Sequence, residues 1–291
     1  MTATDRTLIS IAMTTYNGEK YIEKQLRSIF TQSIQPQEIV ICDDCSSDCT
    51  VEIICKVVAE YGAGDRVCIV ENHTNLGYIR NFHQAIGLTS GDFVCLADQD
   101  DEWYPHKLER LLAVMQETGA AAICTNFDLI DEHSELISDP ECFQIDPFIR
   151  NAPLGLTPIT FHQLVFRNLV PGCTYCCTRQ TADAFYRIDS QILPHDHQIM
   201  LVGSCLGNVY YLNEKTIQYR LHGNNTIGLK KKGTTSGWHL KKPNRKPRCM
   251  QFLDDISCEL TIPHRWYYVI ILYLRIPFFT GLIKNILNNF I

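Results

Sequence analysis

From Leu8 to Thr125 the chain alternates short apolar runs with stretches of helical periodicity, and this alternation restricts its fold more than any other feature. Leu8–Met13, Glu38–Cys42, Val67–Val70, Phe93–Ala97 and Ala121–Thr125 read as strands. Between them lie helical segments: Tyr21 to about Gln32, Thr50–Glu60, Gly77–Leu88 and about Pro105–Glu117. In the second of these, Ile53, Ile54, Val57 and Val58 recur at helical spacing. Strands alternating with helices predict an α/β domain, a mostly parallel, Rossmann-like sheet with helices on both faces. In such sheets ligands bind outside the carboxyl ends of the strands. The informative positions are therefore Thr14–Gly18, Asp43 and Asp44, Asn72–Gly77, and Asp98–Asp101.

The second half is less regular. Asp131–Pro158 is rich in Pro, Asp and Asn and reads as a long irregular segment, a kind that is often functional. A strand at Tyr175–Thr178, a helix at Thr181–Ile188, an apolar helix at about His195–Cys205, and a strand pair, Val209–Leu212 with Thr216–Arg220, are expected to follow.

A chain of 291 residues, 45% hydrophobic and 20% charged, can bury a core in one or two globular domains. Met1–Asp5 is polar, so no signal peptide is expected, and the scattered cysteines read as reduced thiols. A net charge of −6 argues against general nucleic-acid binding. Yet Lys230–Arg248 holds eight Lys or Arg and no acid. Apolar stretches at Trp266–Leu274 and Ile276–Leu287 follow, interrupted around Arg275 and Pro277. Neither reaches the ~20 residues of a membrane span. A basic block before an apolar tail reads as a peripheral or re-entrant anchor on an anionic surface, the cytoplasmic face of the cell membrane. The alternative is a terminal helix packed on the body.

The strongest chemical signal is Asp98-Gln99-Asp100-Asp101, which closes an apolar strand. Three carboxylates so close repel one another, and burial is costly without a cation. Hard oxygen ligands of this kind suit Mg²⁺ or Mn²⁺, with phosphate oxygens completing the shell. The alternative is a solvated acidic turn. Asp43 and Asp44 can accept hydrogen bonds from a pyrimidine or ribose, or serve the next helix as a turn, a role that Asp48 fills better. The ring of Tyr16 can lie on a base. Cys42-x-x-Cys45 with Cys173-x-x-Cys176 has the spacing of a four-thiolate zinc site, but Cys42 ends a buried strand, where Cys commonly acts as a small hydrophobe.

The ordered segments IAMTTYNGEKYIEKQLRSIFTQ, EIVICDDCSSDCT, NLGYIRNFHQAI and GDFVCLADQDDEWYPHKLE resemble the large inverting glycosyltransferase family 2, with its GT-A fold. The resemblance is close over Leu8–Leu112. It implies that Thr15, Tyr16 and Asp44 hold the nucleotide base, with Asp43 beside them, and that Arg80 supports the nucleotide. It places Asp98 near ribose and metal and makes Asp100 the main ligand of a DxD motif. More loosely, Pro171–Thr174 resembles the family's acceptor-side segment. Leu193–Asp196 before an apolar helix resembles the HD motif, which implies Asp196 as general base; a helix cap is its plain alternative. His195 reads equally as a neighbour of that base or as solvent-facing. Gln218–Asn225 resembles the YRxHGxN segment of bacterial rhamnosyltransferases. There Arg220 or His222 can reach the diphosphate, and imidazole can complete the metal shell; the alternative is a strand end and turn.

The implied organisation is a catalytic domain over 1–228, with a nucleotide-sugar half (1–126) and an acceptor half (127–228). A basic linker (229–262) and membrane-proximal C-terminal helices (263–291) complete it. The implied activity moves a sugar, with inversion, from a dTDP- or UDP-sugar to a hydroxyl of a glycan or lipid-diphosphate acceptor. dTDP-rhamnose is the favoured donor and a UDP-hexose its alternative. A nucleotidylyltransferase would show a Gly-rich basic loop after the first strand, which Thr14–Gly18 lacks. A catalytically silent sugar-binding protein would not need both the DxD carboxylates and Asp196.

Overall fold

The computed structural model describes residues 7–138, 146–223 and 248–263. Most of the basic block, residues 230–247, and the apolar tail from residue 264 onward lie outside the described residues, as do Asn224 and Asn225. No helix of the described residues is long and apolar enough to cross a membrane.

The first half follows the alternation of the sequence. Strands β1 (Ile9–Thr15), β2 (Glu38–Asp43), β3 (Val67–Glu71) and β4 (Phe93–Ala97) are parallel neighbours in the order β3-β2-β1-β4. Every residue of β1 is buried, as a strand covered on both faces requires. Helices α1 (Ile22–Phe30), α2 (Thr50–Glu60) and α3 (Tyr78–Leu88) make the crossovers. Each turns an apolar stripe inward, in α1 through Ile22, Leu26, Ile29 and Phe30.

Beyond β4 the sheet changes character. A two-residue strand β5 (Glu102–Trp103) and helix α4 (Lys107–Thr118) lead into β6 (Ala122–Ile130). Helix α5 (Pro147–Asn151), strand β7 (Gly155–Ile159) and helix α6 (Phe161–Phe166) come next. Then follow β8 (Cys176–Thr178), α7 (Arg179–Ile188), α8 (His195–Leu206), β9 (Val209–Arg220) and α9 (Arg248–Ile256). The full order is β3-β2-β1-β4-β8-β6-β9-β5, with β7 on β9. β8 runs antiparallel to both β4 and β6, while β6 and β9 are parallel.

Three expectations need correction. The stretch Asp131–Pro158 is not irregular throughout: Asp146 caps α5 by accepting the Phe148 N–H, and β7 pairs with β9. The expected strand pair near 209–220 is one long strand, whose register against β6 shifts on either side of Asn126. That bulge lets a twelve-residue strand bend without a turn. Finally, residues 248–256 of the expected basic linker form α9, which buries Met250, Phe252, Leu253 and Ile256 in the main core.

Candidate active site

The loops after β1, β2 and β4 meet α8 and the segment before β8 around one cleft of about 1180 Å³. On the first loop, Tyr16 points its ring outward, 48% exposed, at the cleft wall. Its main chain is held by Gln99, which accepts the Tyr16 N–H at 2.7 Å and donates to the Tyr16 carbonyl at 3.0 Å. Gly18 makes room for that amide: a Cβ there would meet Gln99 Oε1 at 2.3 Å.

Asp43 and Asp44 are both buried but do different things. Asp43 accepts the Thr15 hydroxyl at 2.7 Å, the Ser46 N–H at 2.8 Å and the Ser46 hydroxyl at 2.6 Å. It is absent from the cleft lining, and its three hydrogen bonds brace the loop. Asp44 lines the cleft. It also gathers the Asn72–Gly77 loop, accepting the N–H groups of Leu76 (2.7 Å) and Gly77 (2.8 Å) and the Asn72 amide (3.1 Å).

The acidic loop after β4 divides into an open and a closed part. Asp98 and Asp100 line the cleft, and Asp100 Oδ2 meets His222 Nε2 at 2.8 Å. Asp101 is fully buried; Oδ1 accepts the Arg220 N–H at 3.0 Å, and the Cys173 thiol is a second neighbour of the carboxylate. Burial, with Asp101 and Asp100 beside it, holds the Asp98 carboxyl well above the usual carboxylate range. Burial and Asp100 push Asp101 up to about 7. The opposing cation is Lys107, a buried lysine at the start of α4. Its Nζ donates to the Cys173 carbonyl at 2.6 Å and lies 3.8 Å from the centre of the Trp103 ring.

Arg220 does not reach the cleft. Its side chain is fully buried and donates to the Asp100 carbonyl (2.7 Å), the Asp131 carbonyl (2.8 Å), the Ser134 hydroxyl (3.0 Å) and Glu102. A guanidinium so engaged braces the acidic loop. Arg80 is exposed on α3 and outside the cleft lining, whereas Asn81 and Phe82 on the same helix are in it.

On the far wall, Asp196 sits in the first turn of α8, 8% exposed. It accepts the His197 N–H on Oδ1 at 2.7 Å and the Asn168 side-chain amide on Oδ2 at 2.8 Å. Gly172 packs against it so closely that a Cβ would lie 2.8 Å from the Asp196 Cβ. His195 is buried, stacked on Phe82 with ring centres 3.7 Å apart, and neither ring nitrogen has a partner. Burial pushes its pKa down to about 4, so the ring is neutral. It is thus an inward residue, which resolves the sequence ambiguity.

The carboxylates fit a divalent cation. The crowding of carboxylates around Asp98 marks a loop short of positive charge. Among the described residues, potential ligand atoms of Asp98, Asp101 and Cys173 come within 4.8 Å of one another. Cys173 is a poor ligand for a hard ion, since burial holds its thiol well above the ordinary range. Asp98, Asp100 and His222 face the cleft and are chemically better suited, although in this structure their ligand atoms are not gathered within 4.8 Å of one another. Every described cysteine is a free thiol, and Cys42, Cys45, Cys173 and Cys176 do not converge on a zinc site.

Of the residues singled out in sequence, the cleft therefore joins Thr15, Tyr16, Asp44, Asp98, Asp100, Asp196 and His222. It leaves out Asp43, Arg80 and Arg220. Sequence reasoning missed Asn168, for which no motif stands out, and Tyr78, which lines the cleft although it sits inside the segment NLGYIRNFHQAI. It also missed Gln99, although that residue sits inside the acidic motif.

Residues 10–184 match the family described as Glycosyl transferase family 2. The chain is 27% identical over 236 residues to the dTDP-rhamnosyl transferase RfbG of Shigella flexneri, covering 74% of this chain and 73% of that one. It is 24% identical over 228 residues to an uncharacterized glycosyltransferase of Haemophilus influenzae, covering 76% and 68%. A third relative is the putative teichuronic acid biosynthesis glycosyltransferase TuaG of Bacillus subtilis, 31% identical over 153 residues, covering 51% and 59%. Among solved structures, S. aureus TarS in complex with UDP-GlcNAc aligns with a TM-score of 0.67 at 16% identity, over 92% of this chain and 72% of that one. At that identity the likeness speaks for the fold alone.

Proposed function

The chain belongs to glycosyl transferase family 2, and from that premise we propose that it transfers a sugar, with inversion, from a nucleotide sugar to a hydroxyl of a bacterial surface glycan or lipid-diphosphate acceptor. One observation carries this reading: Asp98, Asp100 and His222 share a single cleft with Asp196, which lies far from the two aspartates in sequence. Two relatives support the broad substrate class, RfbG and the UDP-Glc:alpha-D-GlcNAc-diphosphoundecaprenol beta-1,3-glucosyltransferase WfgD of Escherichia coli, 28% identical over 153 residues. RfbG and the YRxHGxN resemblance favour dTDP-rhamnose as donor; a UDP-hexose is the second reading, supported by WfgD.

In this scheme Tyr16 covers the base while Asp44 and Thr15 border it from the ends of β1 and β2. Asp98, Asp100 and His222 would hold Mg²⁺ or Mn²⁺, which when bound neutralises charge on the departing diphosphate. Asp196 takes the proton from the acceptor hydroxyl as that oxygen attacks the anomeric carbon from the opposite side. The basic block Lys230–Arg248 and the apolar tail support docking on an anionic membrane surface, where a lipid-linked acceptor would be met. Deleting residues 263–291 should release the protein from anionic vesicles in a sedimentation assay; a full-length chain that never sediments at low salt removes the anchor.

A thermal-shift panel of dTDP-rhamnose, UDP-glucose and GDP-mannose, with and without Mn²⁺, tests the donor. Asp196→Asn should keep donor binding and lose transfer. Full transfer by this variant would remove the base assignment.

A further inference from the structure

Asp196 has two oxygens, and each already accepts one hydrogen bond. The Oδ1 donor is the neighbouring His197 N–H, an accident of the first helical turn that any residue there would supply. The Oδ2 donor is different. It is the side chain of Asn168, 2.8 Å away, from the irregular segment between α6 and β8 that forms the cleft wall. Nothing in the chain's local geometry obliges Asn168 to point there.

The amide is also held from behind. The single hydroxyl proton of Tyr175 is shared between two acceptors, the Val170 carbonyl at 2.9 Å and Asn168 Oδ1 at 3.2 Å, so the contact with Asn168 is the longer branch. Tyr175 is 1% exposed, and burial raises its phenol well above the ordinary range, so it remains a hydroxyl donor. The orientation of Asn168 follows from its partners. A flipped amide would set its oxygen against the Asp196 carboxylate, two acceptors with no proton between them.

We propose that Asn168 is a positioning residue for Asp196, supported from behind by Tyr175, that fixes the plane of the carboxylate so that its remaining lone pairs meet the acceptor hydroxyl. This deepens the function proposed above and rests on its assignment of Asp196 as base. General-base transfer needs the acceptor oxygen within about 2.6–3.2 Å of the base. A carboxylate free to rotate would spend much of its time off that line. With one oxygen pinned by an amide at the cleft wall and the other by the helix, rotation about the Cβ–Cγ bond is stopped from both sides. The other titratable groups around Asp196 are Tyr78 from α3, Asp98 from the loop after β4, Tyr175, and His195 and His197 on its own helix. Asn168 is the neighbour whose side-chain amide bonds the cleft-side carboxylate directly.

The test uses the full chain with Mn²⁺ and reads nucleotide release from dTDP-rhamnose and UDP-glucose over a pH series. Asn168→Ala should lower kcat about tenfold to a hundredfold while the donor KM stays within about threefold. Asn168→Asp keeps the shape but sets a second carboxylate against Asp196, so the acid limb of the pH–rate profile should move up by about one pH unit or more. Tyr175→Phe should show a weaker form of the alanine effect. A donor-free readout stands beside these: the Asn168 side-chain amide signals in a nitrogen–proton spectrum should move in Asp196→Ala and in Tyr175→Phe. Unmoved signals, or an Asn168→Asp profile matching that of the parent chain, would overturn the inference. If Asp196→Asn itself retains full transfer, the base reading falls and takes this inference with it. If that variant is inactive while both Asn168 variants behave as the parent, only the inference falls.

Discussion

The side-chain amide of Gln99 pairs with the main chain of Tyr16 as a neighbouring strand would, accepting its N–H at 2.7 Å and donating to its carbonyl at 3.0 Å. The loop after β1 is thereby fastened to the loop after β4, two segments 83 residues apart in sequence. The ring proposed to cover the base and the carboxylates proposed to hold the metal then keep one relative position. Gly18 leaves the space in which the amide lies.

Removing this clamp should loosen the donor site before it affects the fold. Each hydrogen bond contributes about 1 kcal/mol, so Gln99→Ala is expected to weaken nucleotide binding about tenfold with a smaller effect on kcat. Gly18→Ala should act in the same direction by displacing Gln99. Calorimetric titration with UDP and dTDP reads both. Unchanged affinity in Gln99→Ala would show that Tyr16 holds its place without help.

Arg220 should prove a stability residue. Its guanidinium is fully buried and spends its donors on Asp100, Asp131, Ser134 and Glu102. Breaking such a buried pair typically costs about 3–5 kcal/mol. Arg220→Met should lose an amount of that order in urea unfolding. Arg220→Lys should recover little of it, because an ammonium cannot span four acceptors. A loss below about 1 kcal/mol in either variant contradicts the role assigned here.

Acid should destabilise the fold partly through His195. Burial holds its pKa near 4, below the ordinary imidazole value of 6.5. The stability this group contributes is therefore complete above that ordinary value and is lost as pH falls from about 6.5 towards 4. At most about 3 kcal/mol is at stake. His197 is lowered by burial as well and adds to the same trend. Melting curves of His195→Gln should fall less steeply across this window than those of the parent chain; identical slopes would assign the acid sensitivity elsewhere.

Chelation should stop the reaction, and added Mn²⁺ or Mg²⁺ should restore it. His222→Ala should need about ten times more metal for half-maximal rate, since the imidazole meets Asp100 directly. Asp100→Asn should need more still. A chelated enzyme that keeps its full rate would end the metal assignment.

The first half of the fold was legible because period and burial agree there. Phe93–Ala97 and Thr50–Glu60 appear in the structure with the bounds their patterns suggest. Five carboxylate and hydroxyl-bearing positions at strand ends fell on one cleft for the same topological reason. Where side chains had to be chosen between ligand and scaffold, the pattern offered no guide. Arg220 and His222 are two residues apart, yet one turns inward as a brace and the other faces the cleft, a difference set by burial on β9. Asp43 and Asp44 divide the same way. The α5–β7 region was obscure because β7, with its Gly and Pro, takes its place through pairing with β9 and not through its own propensity. Asn168 has no local signature at all; its meaning appears once α8 brings Asp196 alongside.

Strand β8 has a further consequence, for the order of events on the ribosome. It is the hydrogen-bonded seam between the β3-β2-β1-β4 side and the β6-β9 side among the described residues. A nascent chain that has not yet emerged past Thr178 holds one four-stranded sheet, β3-β2-β1-β4, while β5, β6 and β7 still wait for β9. Until β8 and then β9 are added, the outer edge of β4 and both edges of β6 stay unpaired, and chains stalled before this point should be the ones that chaperones retain.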